Sequence, residues 1–396
     1  MFRIAYFEPV QGLNVYGREL LPHLAQLDEI EVYTDADASA LDKVISDTFP
    51  VRSFEEFETH RDGYDHLIFQ MRNNPFHVPV YDALLAHGGV AVLHETRLAG
   101  IIGAKTLSRG HRLAFLKGVL VNEGAKAFVH SATDLLLRQG FGRASRYDMN
   151  RQAIRRSYGV IVHNRDAERQ LRSRYPTLPV CTVRRGVPPP HPCDLTAAKE
   201  VLGLTGRFPI VASFGVINAR KRIGQALEAF AGIVDEFPAA IYVLVGQLFE
   251  FDLKGIVARL GLTGRVLSPG RVDDETFNRY LAVTDIGVNL RYPLEGETSS
   301  TALRLMSYGK PMLVTAAGSL AELPDTCTIK IAPDGQEVRR IREALLRLAY
   351  DDGLRQGMGT AAQAYVTNHH TWEQAAQTYH RFLEQLATNG THWRTR

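Results

Sequence analysis

A chain of 396 residues exceeds what one hydrophobic core ordinarily fills, so two domains are expected. With 45% hydrophobic and 22% charged residues the composition is that of a soluble globular protein, and no apolar run approaches the roughly 20 residues that span a bilayer. The net charge of +3 is small, and the three cysteines (Cys181, Cys193, Cys327) have neither metal-ligand spacing nor the even number of a disulfide framework, so a reduced, cytoplasmic protein is expected.

In chain order, Phe2–Phe7 is an apolar run and reads as a first strand rather than a signal peptide. A glycine-containing loop, Gln11–Asn14, and a helix over Tyr16–Leu27 follow. Short strands are predicted at Glu29–Thr34, His66–Gln70, Val90–His94, Gly159–His163 and Cys181–Arg184, with helices between them. The run Val187–Pro192 cannot continue a helix or a central strand and reads as a stiff linker. After it the pattern restarts. Strands are predicted at Pro209–Phe214, Ala239–Val245, Val266–Ser268, Ile286–Leu290, Met312–Thr315 and Thr328–Ile331. Helices are predicted at Gly224–Phe237, Glu337–Ala349, Leu354–Thr367 and Thr371–Leu386. The alternation predicts an α/β protein of two doubly wound, Rossmann-like parallel-sheet domains facing across a cleft. The boundaries are drawn at 1–187, a linker at 188–195, 196–368, and a C-terminal helix at 369–396 that packs back on the first domain.

Charge is unevenly spread. From Ile101 to Pro190 there are 17 Lys plus Arg against 5 Asp plus Glu, a balance of +12 that leaves the rest of the chain at −9. The stretches RGHRLAFLKG, RYDMNRQAIRR and NRDAERQLRSRY read as amphipathic helices whose basic faces suit an anionic membrane surface or a phosphorylated substrate. A solvated basic face explains them equally well. They lack interleaved aromatics and any nucleic-acid motif, so nucleic acid is not an expected partner. A peripheral place on the inner face of the membrane follows from the first of these readings.

The stretch VNLRYPLEGETSSTALRLMSYGKP carries the most chemistry. A buried strand ends in an acidic loop with Glu295 and Glu297, and Thr298, Ser299 and Ser300 then open a helix that stops by Gly309 and Pro311. The carboxyl end of a strand meeting a helix start is where open α/β sheets bind ligands, and the unpaired N–H groups there favour phosphate. Two carboxylates beside that anion suit sugar hydroxyls. The loop GVINARKR places Arg220, Lys221 and Arg222 after another strand. Cations at a helix start oppose the helix dipole, which favours a role in neutralising a bound diphosphate. His94 and His163 each end a strand, where a histidine can touch a ligand or carry a proton. Asn73, Asn74 and His77 follow a third strand, where turn chemistry is the better account of the asparagines. Gly12 alone makes no phosphate-cradling motif. Walker A, GxGxxG, HExxH and GxSxG patterns are absent.

Taken in this order, these segments resemble the retaining, GT-B-fold glycosyltransferases of the group 1 (family 4) class, over nearly the whole length and most strongly in the C-terminal half. FGVINARKR is similar to the family's diphosphate-contacting segment, here with Lys221. GETSSTALRLMSYGKPMLV resembles its donor loop and helix, and EPVQGLNVYGRELLPHL its glycine loop and first helix. QMRNNPFH followed by VLHE is similar to a polysaccharide- or glycan-assembly subgroup. The resemblance implies Lys221, Glu297 and His94 as catalytic residues. Gly12, Gly215, Arg220, Arg222, Arg291, Glu295, Gly296, Thr298, Ser299 and Ser300 would bind the donor, and Asn14, Asn73, His77 and His163 would lie on the acceptor side. It implies a UDP- or GDP-sugar as substrate, a glycan, lipid-linked or small-molecule acceptor, and neither cofactor nor metal. Three positions depart from the family pattern: Val216 and Arg185 in place of its usual polar residues, and Arg304 where a ribose-binding glutamate is usual. They keep open a different nucleotide-sugar enzyme such as an epimerase, or an impaired sugar-nucleotide-binding subunit.

Overall fold

The computed structural model describes residues 1–35, 37–137 and 146–390. These form two compact units. Unit 1 comprises Met1–Gly186, Glu295–Thr298 and the C-terminal segment from Trp372, and unit 2 comprises Val187–Leu294 and Ser299–Thr371. The last six residues of the 369–396 segment lie outside the described residues, as does part of the basic region between 138 and 145.

Unit 1 holds β1 (Arg3–Phe7), β2 (Glu29–Thr34), β3 (Val51–Ser53), β4 (His66–Met71), β5 (Gly89–Leu93), β6 (Ser157–Val162) and β7 (Val180–Thr182). All pair in parallel in the order β3-β2-β1-β4-β5-β6-β7. The three-residue edge strand β3 escapes the sequence reading because Val51 is its only apolar residue. A second correction concerns the first loop. Gln11–Asn14 are helical, within a continuous run from Val10 to Leu24 that passes through a π-helical stretch at Leu13–Gly17. Such turns widen a helix locally and often lie at functional positions.

Unit 2 holds β8 (Ile210–Phe214), β9 (Ile241–Val245), β10 (Val266–Gly270), β11 (Ile286–Asn289), β12 (Met312–Thr315) and β13 (Thr328–Ile331), parallel in the order β10-β9-β8-β11-β12-β13. Alternation along each strand separates two cores. Ile210, Ala212 and Phe214 face one, with Ile241, Val243 and Val245, while Val211, Tyr242 and Leu244 face the other. Both faces are therefore covered by helices, which is why these strands read as unbroken apolar runs.

The helix Trp372–Thr388 belongs to unit 1. It buries Trp372, Ala375, Ala376, Tyr379, Phe382, Leu383 and Leu386, a single stripe at helical spacing. Its Tyr379 hydroxyl lies 3.1 Å from that of Tyr16, and His380 Nδ1 lies 2.9 Å from Asp28. Gly159 in β6 leaves room for Leu386, whose Cδ1 would sit 2.7 Å from an added Cβ.

Candidate functional site

Each sheet reverses its strand order once, between β1 and β4 in unit 1 and between β8 and β11 in unit 2. The crevice outside the strand carboxyl ends at such a reversal is where open α/β sheets take ligands.

In unit 2, Gly215 follows β8 at φ 85°, and a Cβ there would lie 2.8 Å from the Lys221 Nζ. Glycine thus serves both the left-handed turn and the room for an ammonium group. Asn218 caps the turn Ala219–Lys221 by accepting from the Lys221 N–H at 3.2 Å, and the turn folds Lys221 back so that its ammonium donates to the Phe214 carbonyl. From the β11 side, the Tyr292 N–H donates to the Arg220 carbonyl at 2.9 Å, and the Arg291 N–H to Thr315 Oγ1 at 2.8 Å. Burial first, then the nearby charges of Arg291 and Arg220, pushes the Lys221 amine down to about 7. Asn289 Nδ2 donates to Thr301 Oγ1 at 3.0 Å, joining the end of β11 to the helix Ser300–Ser307, whose cap is Ser299. Asn289 Oδ1 is buried with no hydrogen-bond partner among the described residues. Three cations and the N-terminus of a helix thus meet at one strand reversal.

Arg222 stands apart from this group. It adopts φ 57°, and its guanidinium pairs with Glu337, with Nε 3.2 Å from Oε1. Arg304 donates to Asn278 Oδ1 at 2.6 Å and lies 4.6 Å from the centre of the Phe277 ring, so it is engaged with the helix Asp274–Val283.

The acidic part of the loop belongs to unit 1. Thr96 N–H donates to the Glu295 carbonyl at 3.0 Å, Asn164 Nδ2 donates to the Gly296 carbonyl at 2.9 Å and to Thr298 Oγ1 at 3.0 Å, and Thr298 Oγ1 donates to the His163 carbonyl at 3.1 Å. Glu295 lies 3.8 Å from Arg97. Glu297 is buried and accepts from the Glu295 N–H at 2.6 Å, so its carboxylate braces its own loop.

At the unit 1 reversal, Glu8 follows β1, Arg72 follows β4, His94 and Glu95 follow β5, and His163 and Asn164 follow β6. Arg185 and Tyr16 complete the group, with the two guanidiniums 5.0 Å (Arg185) and 5.9 Å (Arg72) from the Tyr16 ring centre. Burial raises Glu8 to about 7 against the pull of Arg72 and Arg185. Burial likewise raises Glu95 and lowers His77 and His163 to about 3, so both imidazoles are neutral. Burial also drives His94 well down, and its Nε2 lies 2.9 Å from Gln70 Oε1. Gly12 packs on Glu8, whose carboxylate occupies the place a Cβ would take. Asn14 bonds Ala40 and Asp42, and Asn73 accepts from the Gly100 N–H at 2.6 Å, so both brace loops. Glu8, Arg72 and Tyr16 are absent from the sequence-derived site. Their one signal was position, since Glu8 and Arg72 are the first charged residues after apolar strands.

Residues 195–365 match the family model described as glycosyl transferases group 1. Over this segment the chain is similar to that family. The matched segment makes up most of unit 2 and contains the Lys221–Arg291 cluster. The chain is 24% identical over 191 residues to a GDP-mannose-dependent monoacylated alpha-(1-6)-phosphatidylinositol monomannoside mannosyltransferase of Corynebacterium glutamicum, covering 47% of this chain and 49% of that one. It is 25% identical over 205 residues to a D-inositol 3-phosphate glycosyltransferase of Corynebacterium jeikeium, covering 49% and 47%. The chain thus spans about half the length of the curated relatives it matches. Among solved structures, Anabaena Alr3699/HepE in complex with UDP and glucose shares the fold, with a TM-score of 0.68, 15% identity, and coverage of 98% of this chain and 100% of that one. WaaG, a glycosyltransferase involved in lipopolysaccharide biosynthesis, superposes with a TM-score of 0.62 at 14% identity over 94% and 98%.

Proposed function

We propose that this chain is a retaining glycosyltransferase. It takes a nucleoside diphosphate sugar at the β8/β11 reversal of unit 2 and passes the sugar to a hydroxyl of a glycan, lipid-linked or small-molecule acceptor. The observation that carries this reading is the meeting of Lys221, Arg220 and Arg291 beside the helix start at Ser299–Ser300, inside the segment that matches the group 1 family. Those groups suit the charge that develops on a departing diphosphate. The acceptor oxygen bonds to the anomeric carbon on the face from which the diphosphate leaves. The acceptor proton passes to the departing phosphate oxygen, so configuration is kept and neither a side-chain nucleophile nor a metal is required. One relative's name includes GDP-mannose and the HepE complex holds UDP, which makes GDP and UDP the first nucleotides to test.

A lipid-linked acceptor is favoured by one surface of unit 1. The helices Arg112–Glu123 and Ala125–Leu136 expose Leu113, Leu120, Val129 and Leu136 among Arg109, Arg112, Lys117 and Lys126. Apolar residues interleaved with cations suit an anionic bilayer surface. No helix among the described residues is long and apolar enough to cross a membrane.

The test is a thermal-shift screen with UDP, GDP, ADP and their sugars, followed by product analysis with the nucleotide that shifts. Transfer to an acceptor with the donor's anomeric configuration supports the proposal. Inversion overturns the retaining mechanism, and an isomerised donor with no acceptor product overturns transfer itself. Failure to bind anionic vesicles at low salt removes the membrane reading.

A further inference from the structure

The turn that carries Lys221 ends on a strained residue. Arg222 sits at φ 57° and ψ 29°, in the left-handed region, where a side chain with a Cβ is costly and glycine is not. Its own N–H donates to the Ala219 carbonyl at 2.9 Å and closes the turn, so the turn survives only while Arg222 keeps this backbone. Strain of this kind persists where the surroundings over-determine it. At Arg222 they do so with a buried ion pair. Its Nε donates to Glu337 Oε1 at 3.2 Å and its Nη2 to Oε2, so the guanidinium fork meets both carboxylate oxygens. The Glu337 side chain is only 6% exposed, which makes the pair dry on the carboxylate side.

The carboxylate is itself held by rigid structure. Arg222 precedes the helix Ile223–Ala231, and Glu337 opens the helix Glu337–Tyr350. The two helices share one core, where Ala226, Leu227 and Phe230 lie with Ile341, Ala344 and Leu345. A carboxylate at a helix start suits the dipole, whereas an arginine at one opposes it, so Glu337 offsets both the charge and the backbone strain of Arg222. One residue before Arg222, Lys221 has its N–H on Asn218 and its ammonium on the Phe214 carbonyl. Movement of the Arg222 backbone therefore moves that ammonium.

We propose that Glu337 is a positioning residue for the donor's diphosphate: by pairing with Arg222 it holds the left-handed end of the turn Ala219–Lys221 and so aims the Lys221 ammonium, while neither Glu337 nor Arg222 touches the ligand. The proposal rests on the transferase reading for the identity of that ligand, and on the geometry of unit 2 for everything else.

The experiment follows Lys221 itself in the full chain, by NMR titration of the lysine Cε–Hε signals, with Lys221→Ala assigning the resonance. Affinities for UDP, GDP and inorganic pyrophosphate are measured in parallel. Wild-type Lys221 is expected to titrate near 7. Glu337→Gln and Arg222→Ala each release the turn, so the titration is expected to move toward the ordinary lysine value of 10.5 and pyrophosphate affinity to fall about tenfold. Arg222→Gly, alone or together with Glu337→Gln, is expected to titrate as wild type does and to bind pyrophosphate within about threefold of it, because glycine takes the left-handed backbone without a partner. Arg222→Ala and Arg222→Gly remove the same charge and differ in backbone freedom, so their comparison reports even where Glu337→Gln folds poorly. A lower melting temperature in Glu337→Gln with the titration and the affinities unmoved makes the pair a structural tie only and overturns the proposal. Arg222→Gly binding as weakly as Arg222→Ala places Arg222 on the ligand and overturns it too, as does a wild-type Lys221 that titrates at the ordinary lysine value. Pyrophosphate binding without binding of any nucleotide overturns the transferase reading instead and leaves the variant series decisive for Glu337.

Discussion

The strand reversals of the two units share a topology and differ in almost everything a ligand meets. Unit 2 presents Lys221, Arg220 and Arg291 at loops beside a helix start, with Asn289 and Gly215 shaping the space. Unit 1 presents a buried set in which neutral histidines and a carboxyl raised to about 7 lie against two arginines. The same backbone thus offers a ligand one cationic place and one in which buried acidic and basic groups face each other. Fold alone does not choose between such ligands, because the choice is made by the few residues just beyond each strand.

The largest effect that tests this contrast is on turnover. Lys221→Ala is expected to slow sugar transfer by roughly 100-fold, the scale of removing one electrostatic stabiliser. Unchanged initial rates in a folded variant would break the assignment of unit 2 as the anion site.

Proton linkage sharpens it next. The free Lys221 amine, held near 7, is neutral above that pH, and a bound diphosphate favours its charged form. The complex then carries a proton that the free protein lacks. Nucleotide affinity is therefore expected to fall as pH rises above about 7, by at most about tenfold per unit. Calorimetry in buffers of different ionisation enthalpy reads the proton directly, and the same measurement on Lys221→Ala should show none.

Gly215→Ala is a smaller perturbation. It forces a side chain into the left-handed region and toward the Lys221 ammonium. The backbone cost of about 1 kcal/mol, with the displaced charge, is expected to weaken nucleotide binding about five- to tenfold. Equal affinity would show that the ammonium is not held where the structure puts it.

The smallest effect lies in unit 1 and appears in stability. Folded Glu8 keeps its proton up to about 7, whereas an unfolded glutamate loses it near 4.5. The folded state therefore binds more protons across that window, and stability falls as pH rises through it. Glu8→Gln cannot ionise, so above about 7 it is expected to gain on the order of 1 kcal/mol over wild type. Denaturant unfolding on both sides of the window reads this, and a parallel pH dependence in the two proteins would sink it.

Strands were legible in the sequence wherever both faces are buried, since their apolar runs need no partner to be recognised. Met312–Thr315 and Thr328–Ile331 are found with the expected bounds. The short edge strand β3 and the helical state of Gln11–Asn14 were not, because Val51 is the only apolar residue of β3 and Gly12 reads locally as a loop. In the helix, that glycine is needed for Glu8 to pack against it, a contact between side chain and backbone that no spacing rule announces.

By itself the sequence determined the two parallel sheets, the cationic loop after Phe214 and the hydroxyl-rich helix start, because each is written within a dozen residues by periodicity, turn chemistry and charge. Tertiary structure decided the rest. It assigned Glu295–Thr298 to unit 1, turned Glu297 onto its own loop, gave Arg222 to Glu337 and gathered Glu8, Arg72, His77 and His163 from three separate segments. The physical reason is the same in each case. Burial and hydrogen-bond partners depend on residues far apart in the chain, and they fix which polar atoms remain for a ligand.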